Sequence, residues 1–245
     1  MNRRSFDPSI RGILITAASL LAVIGCLLAI NLSGFTTEKE IKKVTIADLD
    51  EQSMILYANV QQKTGIPWIL LYSVDKTEEV VPDLAHTESV AETLIQKGAI
   101  RKGLVDDPLK NAAELAGLYT NNRKSIAKIA KHVLELQDVY AMIRQGKYPA
   151  DGEITNETAG CRIAGCTHAY CPFAGRVSAL GEGTVDFVCD NGLIVHMEGV
   201  ASPAVQIGDK IHAGSEIGQT NSFLICFVLD GQPIRPYAYL LLLMQ

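Results

Sequence analysis

The chain has 245 residues, 48% hydrophobic and 20% charged, with a formal net charge of −5 and a pI near 5.6. That composition describes a folded chain with a real core rather than a disordered one. An acidic balance with no basic stripe speaks against a nucleic-acid partner and against broad electrostatic docking on an anionic membrane surface.

The first element in chain order is an uncharged run from Gly12 to Leu32. At 1.5 Å per residue it reaches about 30 Å, the thickness of a bilayer's hydrocarbon layer, so it reads as one membrane-spanning helix. Arg3, Arg4 and Arg11 precede it, while Glu38, Lys39, Glu40, Lys42 and Lys43 follow with mixed sign. The positive-inside bias then keeps the N-terminus in the cytoplasm and exports the rest. Two rivals stand beside this reading. A cleaved signal peptide is poorly served by Leu32-Ser33-Gly34, and Val23-Ile24-Gly25-Cys26 resembles a bacterial lipoprotein box that would place a lipid on Cys26.

Residues 1–33 are thus expected to form a cytoplasmic stub and anchor, and 34–50 a stalk or leading strand. A helical domain follows over 51–149. Its clearest segment is 109–144, where Leu115, Leu118, Ile126, Ile129, Val133, Leu136, Tyr140 and Ile143 recur at three- and four-residue steps as one apolar stripe. Asp106-Asp107-Pro108 starts it, Gly146 and Pro149 end it, and Asn121-Asn122 can divide it in two. The stripe predicts a packed bundle face.

From residue 150 to 245 the pattern changes to β-rich runs: Arg176–Leu180, Thr184–Cys189, Leu193–Glu198 and Phe223–Leu229. Asp190-Asn191-Gly192 predicts a hairpin, because both turn positions need positive φ and Asn-Gly tolerates it. Gly208-Asp209, Ala213-Gly214 and Asp230-Gly231 mark further turns. The apolar tail Leu240–Met244 is too short to span a bilayer and is expected to pack against a domain. The expected fold class is therefore α+β: one transmembrane helix, a helical domain and a mostly-β C-terminal domain.

Five cysteines, Cys161, Cys166, Cys171, Cys189 and Cys226, lie in the part read as exported, where disulfides are permitted. Their odd number leaves one thiol unpaired or bridged to another chain. Cys161, Cys166, His168 and Cys171 could instead hold a structural zinc, although the spacing is not the common Cys-x-x-Cys, or the thiols could be free and buried. His196 and His212 are expected to cap or face solvent.

Three stretches carry a resemblance: Phe173-Ala174-Gly175-Arg176-Val177; Asp190-Asn191-Gly192-Leu193-Ile194-Val195; and Val205-Gln206-Ile207-Gly208-Asp209 continuing to Ala213-Gly214-Ser215-Glu216-Ile217-Gly218. With the ending Gly231-Gln232-Pro233-Ile234-Arg235-Pro236, they resemble the lysostaphin/LytM-type zinc endopeptidase family over residues 165 to 240. Biotinyl and lipoyl carriers share the glycine-rich stretch, but they need a lysine at a hairpin tip, and Lys210 is the only lysine there.

The resemblance implies a half-barrel or sandwich of strands. In that family a His-x-x-x-Asp pair and the second histidine of a His-x-His pair bind one zinc with an open water position, and a further histidine assists. Here the His-x-His positions fall on Leu224 and Cys226, the assisting position falls near Gly199, and no His-x-x-x-Asp stands between residues 150 and 175. Amide hydrolysis by the family's route is therefore not expected, and neither is a zinc cofactor. Inactive LytM-type envelope proteins, sporulation proteins among them, serve as scaffolds, peptidoglycan binders or activators. The likeness thus implies a cell-envelope module whose groove, with Val195, Met197, Leu224 and Cys226, takes a protein partner or cell-wall peptide.

Upstream, Tyr57-Ala58-Asn59-Val60, Thr64-Gly65-Ile66-Pro67-Trp68 and the run to Glu78 resemble the start of lysozyme-like transglycosylases, which would make Glu78 a catalytic acid. A peptidoglycan hydrolase, acting through Glu78 or through an atypical Cys/His zinc site including Cys226, is the enzyme alternative. A redox or metal sensor built on the cysteines is the third.

Overall fold

The structure, a computed structural model, describes residues 43–244. The anchor, lipoprotein-box and cytoplasmic-stub expectations all fall outside the described residues. Among the described residues, no helix is long and apolar enough to cross a membrane.

The chain enters through a 3-10 turn at Ile46–Asp48, closed by the Thr45 N–H donating to Asp48 Oδ2 at 2.9 Å. Ile46 and Leu49 are buried, and the Val44 N–H donates to the Glu135 carbonyl at 3.1 Å. This end of the stretch read as a stalk is therefore packed on the body rather than extended.

Seven α-helices follow among the described residues. α1 (Glu51–Thr64) starts at Asp50, whose carboxylate accepts from the Ser53 N–H, and ends at Gly65, whose φ of 72° closes the last turn. α2 (Trp68–Glu78) follows Pro67, and α3 (Leu84–Gln96) is capped by Asp83. The long segment expected over 109–144 is three helices: α4 (Ala112–Tyr119), α5 (Arg123–Glu135) and α6 (Gln137–Gln145). Asn122 makes the first break by accepting from the Lys124 and Ser125 amides. The second break falls at Leu136, which is itself fully buried. The apolar stripe survives both breaks, because Leu115, Ile129, Val133, Leu136 and Ile143 all lie in the core.

The strands are β1 (Glu153–Asn156), β2 (Cys161–Ala164), β3 (His168–Tyr170), β4 (Gly175–Gly181), β5 (Thr184–Cys189), β6 (Ile194–Glu198), β7 (Ser202–Pro203), β8 (Lys210–Ile211), β9 (Glu216–Gln219), β10 (Ser222–Leu229) and β11 (Gln232–Ile234). One antiparallel sheet runs β1-β2-β10-β6-β5-β4-β8 with β11 on β10, and a smaller one runs β3-β9-β7. The four runs legible in the sequence are β4, β5, β6 and β10. β5 and β6 are joined through Asp190-Asn191-Gly192 as expected, but only Gly192, at φ 84°, takes positive φ: Asn191 does not, and the loop is closed by the Gly192 N–H donating to the Cys189 carbonyl at 2.9 Å.

Along β10 the burial alternates strictly, so Phe223, Ile225, Phe227 and Leu229 enter the core while Ser222, Leu224, Cys226 and Val228 face outward. The tail forms α7 (Tyr237–Leu243) and returns to the helical layer. There the Tyr239 hydroxyl donates to the Ile46 carbonyl at 2.8 Å, and the Gln62 amide donates to the Leu241 carbonyl at 3.1 Å. Leu240 is fully buried, so the tail packs as its composition predicts.

Candidate functional site

Strands β2, β10, β6 and β5 lie side by side, and their register lines up three rows of residues on the outward face. Arg162, Leu224 and Glu198 form the first row, Cys226, His196 and Asp186 the second, and Val228, Ile194 and Val188 the third. Val195 and Met197 are absent from this face. They pair with Phe227 and Ile225, are fully buried, and point into the core. The groove expectation was thus one residue out of register on β6, and a one-residue slip moves every side chain to the other face. His196 and Glu198 hold the places assigned to Val195 and Met197, while Leu224 and Cys226 lie on the outward face of β10.

Arg162, His196, Asp186 and Cys226 on this face each have a partner. The Arg162 guanidinium donates to both oxygens of Glu157, at 2.7 and 3.3 Å, and His196 Nδ1 is hydrogen-bonded to Asp186 Oδ1. Cys226 Sγ donates to the Ala159 carbonyl at 3.1 Å, beneath a turn closed by the Glu157 N–H donating to the Gly160 carbonyl at 2.9 Å.

Gly160 is the tightest point of the site. A Cβ there would lie 2.4 Å from the Ile225 carbonyl and 2.7 Å from Cys226 Sγ, distances that real Cβ atoms do not show. Asn156 stands four residues earlier, so Asn156 and Gly160 carry the His-x-x-x-Asp spacing, with Gly160 directly beside Cys226 and Asn156 paired with Cys161 across β1 and β2. Sequence reading missed the pair because neither residue is of the expected type; only spacing could have pointed to it. Gly199, the place of the assisting histidine, has φ 103°, and a Cβ there would meet the Ser222 carbonyl at 2.7 Å.

These residues do not fit a catalytic zinc. Leu224 has no donor atom, Gly160 has no side chain and no room for one, and the Cys226 thiol is turned to a carbonyl. Burial also pushes the Cys226 thiol above the ordinary range, which disfavours the thiolate that would bind metal. Among the described residues, no three His, Cys, Asp or Glu side chains are placed to share an ion.

The second metal candidate is dispersed. Cys161 is buried on β2, Cys166 Sγ points at the Thr220 carbonyl at 3.6 Å, and Cys171 Sγ donates to the Phe173 carbonyl at 2.7 Å. His168 sits on the smaller sheet with Nδ1 at 2.9 Å from Thr167 Oγ1. All five described cysteines are free thiols, and burial pushes Cys161, Cys171 and Cys189 up to about 12. Cys161, Cys166, Cys171 and Cys189 are free and buried, whereas Cys226 is free and half-buried.

Glu78, the last residue of α2, accepts from the Tyr119 hydroxyl at 2.7 Å, and its side chain is 35% exposed. The buried acid is Asp75, one turn earlier and 2% exposed. Its Oδ2 accepts from the Tyr57 hydroxyl at 2.9 Å, and His86 Nε2 lies 3.2 Å from its Oδ1 and 3.4 Å from Glu78 Oε2. Burial raises the Asp75 pKa, with Tyr57 and His86 opposing the rise. Of the two acids, Asp75 and not Glu78 has the desolvated surroundings that a general acid needs. A charged residue next to Lys76-Thr77-Glu78-Glu79 reads as solvated in sequence, which hid it.

No family model and no curated protein matches the chain by sequence. By structure it is similar to a putative peptidase M23 from Pseudomonas aeruginosa, with 18% identity and a TM-score of 0.36 over 39% of this chain and 50% of that one. It is similar to the catalytic domain of lysostaphin from Staphylococcus simulans, with 13% identity and a TM-score of 0.32 over 40% of this chain and 94% of that one. A putative glycyl-glycine endopeptidase lytM from Ruminococcus gnavus overlaps at 15% identity and a TM-score of 0.40, over 64% of this chain and 87% of that one. The chain spans half the length of the Pseudomonas structure. These structural neighbours are of the M23, LytM and lysostaphin peptidase kind, at low identity and partial coverage.

Proposed function

We propose that the chain is an exported bacterial cell-envelope protein, held in the cell membrane by residues 12–32, whose LytM-type β domain binds a protein partner or cell-wall peptide instead of cleaving one. The observation that carries the reading is Gly160 pressed against Cys226 and Ile225, with Leu224 beside them. What hydrolysis would require is missing at that point, while the surrounding sheet face stays open.

The face offers a ladder suited to an extended peptide. An apolar row of exposed Val188 and Ile194 and half-buried Val228 runs beside the His196–Asp186 pair and the Arg162–Glu157 pair. Apolar contacts supply affinity there, and the fixed polar pairs discriminate between ligands.

A photo-crosslinking amino acid placed at Ile194 in the full chain tests this in living cells. The expected result is a discrete protein adduct or linkage to insoluble peptidoglycan, at several times the yield of a probe at the exposed Lys102. Equal yields at the two positions would remove the basis of the proposal.

A further inference from the structure

A cavity of about 340 Å³ opens where α1, α2 and α6 meet the returning helix α7, within the size range of small-ligand pockets. It is separate from the sheet face and does not depend on the reading of that face. Trp68 forms part of its wall; the ring is 1% exposed, and the indole N–H is buried without any hydrogen-bond partner among the described residues. Buried donors are nearly always paired in folded proteins, and a tryptophan N–H finds an acceptor when it is enclosed. An orphaned one on a cavity wall marks a place where an acceptor is expected from outside the chain.

The other walls narrow the chemistry. The Tyr140 ring lies 6.1 Å from the Trp68 ring, and Leu242 brings an aliphatic surface from α7. The Arg144 guanidinium stands beside the Tyr140 hydroxyl, and Lys147 lies on the rim. Both cations are exposed, and neither makes an ion pair among the described residues. Asp106 is the one acid among the described residues lining the cavity. The site therefore presents a neutral N–H donor, two cations without an ion pair, one of them Arg144 hydrogen-bonded to the neutral Tyr140 hydroxyl, and an apolar bed. A phosphate would want more donors and less hydrocarbon; a carboxylate on an apolar body uses all three features.

We propose that this cavity binds a small monoanionic carboxylate with an apolar body, of the kind a free peptide C-terminus presents. The carboxylate accepts from Trp68 Nε1 and Arg144, and the adjoining alkyl group lies between Tyr140 and Leu242.

Trp68 is the only tryptophan in the chain, so its fluorescence reads the site directly. The full chain in detergent is titrated with N-acetyl-alanyl-alanine and, separately, with the C-terminal amide of the same dipeptide. A saturable change is expected with the acid, and binding of the amide about tenfold weaker or worse, because the amide lacks the charge. Arg144→Gln should weaken the acid about tenfold without moving the melting temperature, and Lys147→Gln serves as a second variant should the first fold poorly. No saturable change up to roughly 10 mM, the edge of measurable affinity, overturns the proposal. Equal binding of acid and amide, or a fully folded Arg144→Gln that binds like the parent, overturns it as well.

Discussion

Gly160→Asp is expected to lower the stability of the folded body by about 1–3 kcal/mol, the range for forcing extra atoms into a packed site, while creating no zinc affinity. The first added carbon already meets the Ile225 carbonyl at 2.4 Å, and this atom is ladder backbone that cannot rotate away. A carboxylate reaching further must displace the 157–160 turn and break the Cys226 contact with the Ala159 carbonyl. Gly117→Ala is the matched control. It lies within α4 with nothing within 4 Å of the added carbon, so it should stabilise the protein by about 0.5–1 kcal/mol through helix propensity. Urea unfolding of both variants checks the pair, and a Gly160→Asp protein as stable as its parent would show that the turn yields easily.

The second large effect belongs to the Asp75 cluster. Tyr57→Phe removes the hydroxyl that donates to a buried carboxylate, and near pH 7 the expected cost is about 1.5–3 kcal/mol, the range for hydrogen bonds to charged groups. Because burial raises the Asp75 pKa above its ordinary value of 3.8, the folded protein holds that proton more tightly than the unfolded chain. The Asp75 contribution to stability is therefore greatest below the ordinary value, and it is lost as pH rises from there through the raised value. The groups facing Asp75 are Tyr57, His86 and Glu78, so the test variant must leave all three in place. Asp75→Asn does so, and it is expected to flatten the acid limb of the stability profile. Thermal melts between pH 4 and 8 that slope alike for parent and variant would assign the pH dependence elsewhere.

The parts of the fold that were legible in the sequence share one property: their pattern repeats. β5, β6 and β10 alternate over five to eight residues, and an Asn-Gly turn announces the β5–β6 hairpin. The strands that went unread, β1, β2, β3, β7, β8, β9 and β11, run two to four residues, too short to establish a period. The break at Leu136 is invisible because the apolar stripe runs through it, whereas Asn122 signals its own break by a capping side chain.

The candidate site divides in the same way. The outward facing of Leu224 and Cys226 was legible because motifs flank β10 on both sides. Val195 and Met197 were chosen in place of His196 and Glu198 because a hairpin turn fixes a strand's existence more firmly than its facing. Gly160 was missed because a residue that matters for having no side chain leaves no chemical signature in a sequence. Its role shows only where two backbones and a thiol meet.

The central claim, that this sheet face holds no catalytic zinc, is tested most directly by metal analysis of the full chain purified in detergent without chelator, paired with an assay for peptides released from purified cell walls. The expected result is a zinc content well below one per chain and no release above buffer. One zinc per chain, lost together with peptide release in Cys226→Ala, would contradict it.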